Sequence, residues 1–293
     1  MPVLNLQIGG VIMLKRFVLI YLLLIPLALF GQTRFQVVGE PQRLAGGNGD
    51  YFHSPVWSPD GQMIAFTSTN YKGLWTLNVE NTSITNLSDE AGVGFGFQWS
   101  GDSKDIVSRG TQFENARRLD AVKLFNVESK TEKSLTEYRN KIAGLPQWTS
   151  DSRQIYFFNG KSLEFVSSGK LLKADVARPV YFTKYGKIYT QVYPTTLAKS
   201  SRIVVDDNCL DVRVSPDGRK ISYQVMGGNL FVMNTDGSGT TDLGKGHNAR
   251  WSPDSEYLVY MIATDDGHDF TGSDLYVSRA DGSERVIVTR TDD

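Results

Sequence analysis

The sequence predicts an all-β protein: a six-bladed β-propeller of four-stranded antiparallel blades at residues 32–293, preceded by a signal peptide at residues 1–31. Three observations carry this expectation. A motif of an apolar residue, Ser, Pro, Asp and Gly recurs along the chain, a β-rich run follows each copy, and almost nothing after the N-terminus has helical periodicity.

The export signal comes first in chain order. Lys15 and Arg16 precede an apolar stretch from Phe17 to Phe30, and polar sequence begins at Gln32. This is the charged and apolar pair of regions that a secretory signal needs, with cleavage expected after Gly31. The stretch is shorter than the ~20 residues that span a bilayer as a helix, although an uncleaved anchor is the competing reading. Met13 is an alternative start. No cysteine lies at the cleavage region, which excludes a lipid anchor there. The expected location is therefore the periplasm or the medium, with no stable transmembrane segment after cleavage.

The repeat comes next. Trp57-Ser58-Pro59-Asp60-Gly61 returns as Trp99-Ser100-Gly101-Asp102-Ser103 and Trp148-Thr149-Ser150-Asp151-Ser152. It returns again as Val214-Ser215-Pro216-Asp217-Gly218 and Trp251-Ser252-Pro253-Asp254-Ser255. The gap between the third and fourth of these is too long for one unit. Phe182-Thr183-Lys184-Tyr185-Gly186 falls inside it as a degenerate copy, which makes six. Proline sets φ in such a turn, Asp bonds back to the backbone, and Gly takes positive φ.

Second strands follow at Met63 to Thr67, Ile155 to Phe158, Ile188 to Val192, Ile221 to Val225 and Tyr257 to Ile262. Third strands are expected at Leu74 to Val79, Leu230 to Asn234 and Leu275 to Arg279. Asp236-Gly237 and Asp281-Gly282 then turn the chain into fourth strands. Four antiparallel strands in roughly 40 residues describe a propeller blade. The tryptophans share one phase and should wedge between neighbouring blades, while the turn aspartates are structural.

These residues resemble the TolB-type, WD-like propeller repeat, over most of residues 35 to 293. TolB itself carries a separate α/β domain, and peptidases of the prolyl oligopeptidase and tricorn types add a hydrolase domain. The chain leaves no room for either, so the resemblance implies a propeller standing alone and favours binding over catalysis. Propellers also fasten their ring with terminal strands. Phe35 to Val38, Gln42 to Leu44 and Arg285 to Arg290 are the segments available for that pairing.

Composition limits the partners. Lys and Arg total 31 against 32 Asp and Glu, with no basic block, which excludes nucleic acid as a partner. Cys209 is the single cysteine, so no intramolecular disulfide or thiolate metal cluster forms. It sits beside Leu210, Val212 and Val214 and reads as a semi-buried apolar residue.

If the strand before each turn motif is innermost, blade-to-blade connections and second-to-third loops share one face. That face holds the segments expected to be long and irregular: Ala45 to Ser54, Arg109 to Ala121, Glu137 to Leu145, and Ala263 to Ser273. Its candidate binding residues are His53, Phe95, Arg117, His247, Asp265, Asp266, His268 and Asp269. Tyr51, Phe52 and Phe97 add aromatic character, and Arg117, Arg118 and Lys123 form a small basic group expected to be solvated.

Three functions are open at this point. The leading one is a non-catalytic, monomeric scaffold for a protein or peptide partner in the cell envelope, with no cofactor. The second is a metal-dependent lyase or hydrolase, with a divalent metal on His53, His247 and His268 at the seam of blades 6 and 1. The third is a glycan-binding module. No Gly-x-Ser-x-Gly elbow, His-Glu-x-x-His or phosphate loop is present.

Overall fold

A computed structural model describes residues 43–46, 51–140, 142–170, 178–193, 202–265 and 270–289. The chain forms a six-bladed propeller whose sheets follow one another in sequence order, each antiparallel. Blade 1 is β1 (Phe52–Trp57), β2 (Met63–Ser68), β3 (Leu74–Asn78) and β4 (Ile84–Ser88). Blade 2 is β5 (Gln98–Trp99), β6 (Asp105–Glu114), β7 (Arg117–Asn126) and β8 (Thr131–Ser134). Blade 3 is β9 (Gln147–Trp148), β10 (Gln154–Phe158) and β11 (Leu163–Ser167); blade 4 is β12 (Arg178–Lys184), β13 (Lys187–Tyr193) and β14 (Arg202–Val205). Blade 5 is β15 (Cys209–Val214), β16 (Lys220–Val225), β17 (Leu230–Asn234) and β18 (Thr241–Asp242). Blade 6 is β19 (His247–Trp251), β20 (Tyr257–Asp265), β21 (Phe270–Arg279) and β22 (Arg285–Ile287). Blades 3 and 4 have three strands among the described residues, and they border segments 171–177 and 194–201, which lie outside these. The degenerate copy at Phe182 is a blade in its own right, with Tyr185-Gly186 as its turn.

The repeated hydroxyl is the hub of each turn. Ser58 Oγ donates to Asp60 Oδ1 at 2.6 Å and accepts from the Met63 amide at 2.9 Å. The same pair of bonds is made by Ser100, Thr149, Ser215 and Ser252. The Ser58 hydroxyl and the Gln62 amide hold the Asp60 carboxyl below its ordinary 3.8. The turn ends on a left-handed residue, Gly61 or Gly218 at φ 72°, but Ser103, Ser152 and Ser255 occupy the same conformation elsewhere. Those serines offset the strain with a link between blades. Their hydroxyls accept the backbone amides of Asp60, Gly101 and Asp217 at 3.0, 2.8 and 3.0 Å.

A second set of links comes from the tryptophans. The indole N–H of Trp99, Trp148 and Trp251 donates to the carbonyl of Val56, Gln98 and Arg213 in the preceding blade, at 3.0, 3.1 and 3.2 Å. Apolar clusters fill five junctions in turn. Ala65, Leu74, Trp99 and Phe125 join blades 1 and 2; Val107, Val122, Ile155 and Phe157 join 2 and 3. Tyr156, Phe158, Val180 and Phe182 follow, then Tyr181, Ile188, Val212 and Tyr223, then Leu230, Val232, Leu258 and Tyr260.

The junction of blades 6 and 1 differs. No such cluster fills it among the described residues, Trp57 is 55% exposed, and Gly61 has no hydroxyl to offer across the seam. The expected wedge role thus holds for three tryptophans and fails for Trp57, because the role depends on what the neighbouring blade presents. Blade 6 ends on the C-terminal β22, as the sequence suggested. The N-terminal candidates, Phe35 to Val38 and Gln42, lie outside the described residues, and Arg43 and Leu44 are not in a strand. The signal segment also lies outside them. Among the described residues no helix is long and apolar enough to cross a membrane.

Candidate functional site

Strand order puts the start of β1, the β2–β3 loop and the blade 1 to blade 2 connection on one face, opposite the turn motifs. The β2–β3 loop is a short 3₁₀ turn, Thr69–Tyr71, in which Asn70 and Tyr71 are both left-handed at φ 61° and 56°. Consecutive non-glycine residues in this region are strained, at a cost of about 1–3 kcal/mol each. The surroundings enforce the conformation. The Gly94 amide donates to the Tyr71 carbonyl at 3.2 Å, the Gly73 amide to Glu90 at 3.0 Å, and Thr67 Oγ1 to Gly73 at 2.8 Å. A side chain at Gly94 would collide with Thr67, so only glycine lets the two loops approach.

The strained turn presents Tyr71 between two other rings. Tyr71 meets His53 edge-on at 4.9 Å and Phe95 edge-on at 4.8 Å, and the Arg109 guanidinium lies 6.0 Å from the Phe95 ring centre. Arg109 is itself fixed, donating to the Ile142 carbonyl at 3.1 Å. Tyr71 and Phe95 remain 39% and 41% exposed. The result is an aromatic ledge whose backbone and flanking cation are held in place by hydrogen bonds from the neighbouring loops.

Beside it, β6 and β7 form a regular hairpin arm, paired without a break from Asp105↔Asn126 to Glu114↔Arg117. The expectation of an irregular loop at Arg109 to Ala121 is therefore wrong. The turn is Asn115-Ala116, both at positive φ, and such a mirror-image turn suits strand twist even without glycine. Phe113 and Arg117 are exposed near the tip, where Glu114, Asn115, Arg117, Leu119 and Asn140 line an open cleft. Ala263 to Ser273 is likewise strand wherever it is described, in β20 and β21.

Of the expected basic group Arg117 and Arg118 are exposed, as expected, but Lys123 is not solvated. Lys123 is buried between Glu132 and Glu90, at 2.6 and 3.1 Å, beneath the Tyr138 ring, and Tyr138 donates to Glu90. Burial alone would lower the Lys123 pKa, but the bonds with Glu132, Tyr138 and Glu90 outweigh it and hold the ammonium above its usual range. Arg118 pairs with Asp120 at 3.0 Å. Lys123 thereby ties β7 to Glu90 in the connection from blade 1, whereas the Arg118–Asp120 pair lies within β7 itself.

His53 and Phe95 come together on the ledge. His247 starts β19, as the repeat phase required, but its Nδ1 lies 2.9 Å from Gln224 Nε2 of blade 5. Arg117 stands apart at the arm tip. Asp265 ends β20, while Asp266, His268 and Asp269 lie outside the described residues, so the three-histidine arrangement is not described as a unit. Among the described residues no group of three His, Cys, Asp or Glu side chains is disposed to hold a metal ion. Phe97 is buried in the junction of blades 1 and 2, and Phe52 packs on Phe66 and Trp75, so neither serves the face. Tyr51 is exposed. Cys209 is fully buried, and burial pushes its thiol up to about 11. Sequence reasoning missed Tyr71. An aromatic ring in a short loop ending at Gly73 was the one available signal.

No protein-family model and no curated protein matches the chain. Solved structures share its fold. TolB from Acinetobacter baumannii superposes with a TM-score of 0.52 at 18% identity, over 80% of this chain and 53% of that one. The chain thus spans about half the length of that TolB. A putative TolB from Agrobacterium tumefaciens gives 0.51 at 16% identity, over 82% of this chain and 81% of the other. The β-propeller domain of the Trilobed protease from Pyrococcus furiosus, described as having an open velcro topology, gives 0.51 at 15% identity, over 83% and 85%. The fold is that of the TolB-type propeller.

Proposed function

We propose that the protein is an exported, non-catalytic and monomeric propeller that holds a protein or peptide partner on its loop face. The single observation that carries this reading is the ledge of His53, Tyr71 and Phe95. Exposed aromatic rings backed by hydrogen-bonded loops make strong anchors, because little freedom is lost when a partner docks. Export rests on the charged and apolar pattern from Lys15 to Phe30. No cofactor enters this reading, and a stoichiometric metal in the purified protein would overturn that part of it.

The test is affinity capture from the native envelope fraction with the wild-type chain, Tyr71→Ala and Phe95→Ala. Truncating an aromatic anchor costs about 2 kcal/mol or more, roughly a 30-fold loss of affinity. A partner held by the ledge should disappear from both variants while their circular dichroism stays unchanged. Equal capture by all three proteins would refute the reading.

A further inference from the structure

The innermost strands of a propeller surround its axis, so the side chains they turn inward meet there. One place before the apolar residue of the turn motif, blades 1, 2 and 3 carry Val56, Gln98 and Gln147, but blades 5 and 6 carry Arg213 and Arg250. Two places earlier the backbone of each of these two strands is left-handed, at Asp211 (φ 48°) and Asn248 (φ 56°). The ladders shift register at the same points, between Leu210 and Arg213 and between His247 and Arg250.

The bulge in β15 brings the Asp211 carboxylate onto both guanidinium groups. Arg213 Nη2 and Nε lie 2.7 and 2.9 Å from Oδ1, and Arg250 Nη1 lies 3.3 Å from Oδ2. Arg250 Nη1 also donates to the Ala249 carbonyl at 2.9 Å. Two cations therefore share one anion. Arg213 Nη1 and Arg250 Nε and Nη2 have no protein acceptor among the described residues, and both side chains remain partly open to solvent, at 23% and 39%.

Electrostatics agree with this placement. Burial depresses the Arg250 pKa, Arg213 depresses it further, and Asp211 acts against them. The charge of Arg213 also reaches Tyr156 of blade 3, whose hydroxyl lies 3.0 Å from both the Tyr181 carbonyl and Gln147 Oε1.

We propose that Arg213 and Arg250, held by Asp211, form an axial site for a carboxylate. A planar guanidinium fork matches a carboxylate in two-point contact. The residual charge of the three groups is that of one cation, which suits a monoanion better than phosphate. The site lies towards the turn-motif end of the inner strands, away from the aromatic ledge, and does not depend on it.

Calorimetric titration of the full chain tests this with four probes: a triglutamyl peptide blocked at both ends, an acetylated trialanine with a free terminus, acetate, and inorganic phosphate. The expected result is saturable, salt-sensitive binding of a carboxylate probe, and the tightest of the three shows whether a side chain, a chain terminus or a small acid is the source. Arg250→Gln and Arg213→Gln should each weaken it about 10- to 100-fold. Asp211→Asn, which removes the competing anion, should strengthen it, a change that a merely structural role would not produce. Arg250→Lys keeps the charge but loses the fork, and it reads the same effect if Arg250→Gln fails to fold. Absence of carboxylate binding, affinity unaltered by the arginine variants, or tighter binding of phosphate would overturn the proposal.

Discussion

Replacing Trp99 by alanine should destabilise the protein far more than the same change at Trp57, although both residues open the same motif. A tryptophan side chain offers roughly 150–250 Å² for burial, worth about 4–6 kcal/mol at ~25 cal/mol per Å². Trp99 is only 8% exposed and its indole N–H satisfies the Val56 carbonyl. Its loss should cost about 4–5 kcal/mol once the cavity is counted. Trp57 leaves 55% of its surface in water, so the same area arithmetic gives about 2 kcal/mol. The gap of about 2–3 kcal/mol corresponds to melting temperatures separated by roughly 5–10 °C in a protein of this size. Urea and thermal unfolding followed by far-ultraviolet circular dichroism measure it directly. Equal losses would refute the reasoning, because they would mean that the junction of blades 6 and 1 is packed as tightly as the others.

Three further outcomes follow from the same geometry. Ser215→Ala removes the hydroxyl that serves Asp217 and the Lys220 amide, and urea titration should show a loss of about 1–2 kcal/mol. The Asp60 carboxyl, lowered by Ser58, contributes stability that is present above its ordinary 3.8 and lost as the pH falls through its folded value. Melting temperature should therefore decline below about pH 4, and less steeply in Ser58→Ala. Lys123→Ala strands Glu90 and Glu132 in a partly buried site and should cost about 3–5 kcal/mol in urea unfolding, whereas Lys130→Ala on the exposed β7–β8 turn should cost under about 0.5 kcal/mol.

Much of the fold was legible because the turn chemistry is local. Ser58, Pro59, Asp60 and Gly61 announce their own conformation, and five further copies divide the chain into blades. Even the degenerate copy at Phe182 kept the phase of its strands. The hairpin arm was hidden because Glu114-Asn115-Ala116-Arg117 contains no glycine, and its polar outer residues carry no alternation. The Trp57 exposure was illegible for a different reason. Motifs at residues 57 and 251 are nearly identical, and the difference lies in the blade each one faces.

The site was legible only in part. His53 and Phe95 were placed on one face by strand order alone. Their union through Tyr71 depends on contacts between segments about twenty residues apart in sequence, and on a left-handed backbone that no residue at 70 or 71 advertises. The arginine pair on Asp211 has the same origin, since a bulge in β15 turns a carboxylate that would otherwise point elsewhere.

The proposed partner docks on the loop face and not on the turn face. Site-specific photocrosslinking in the native cell measures this directly, with a photoreactive phenylalanine analogue placed at Phe95, Tyr71 or Thr82. Thr82 lies on the β3–β4 turn of the opposite face. Docking on the loop face gives a discrete adduct from Phe95 and Tyr71 and none from Thr82. Adducts from Thr82 alone, or equally from both faces, would contradict it.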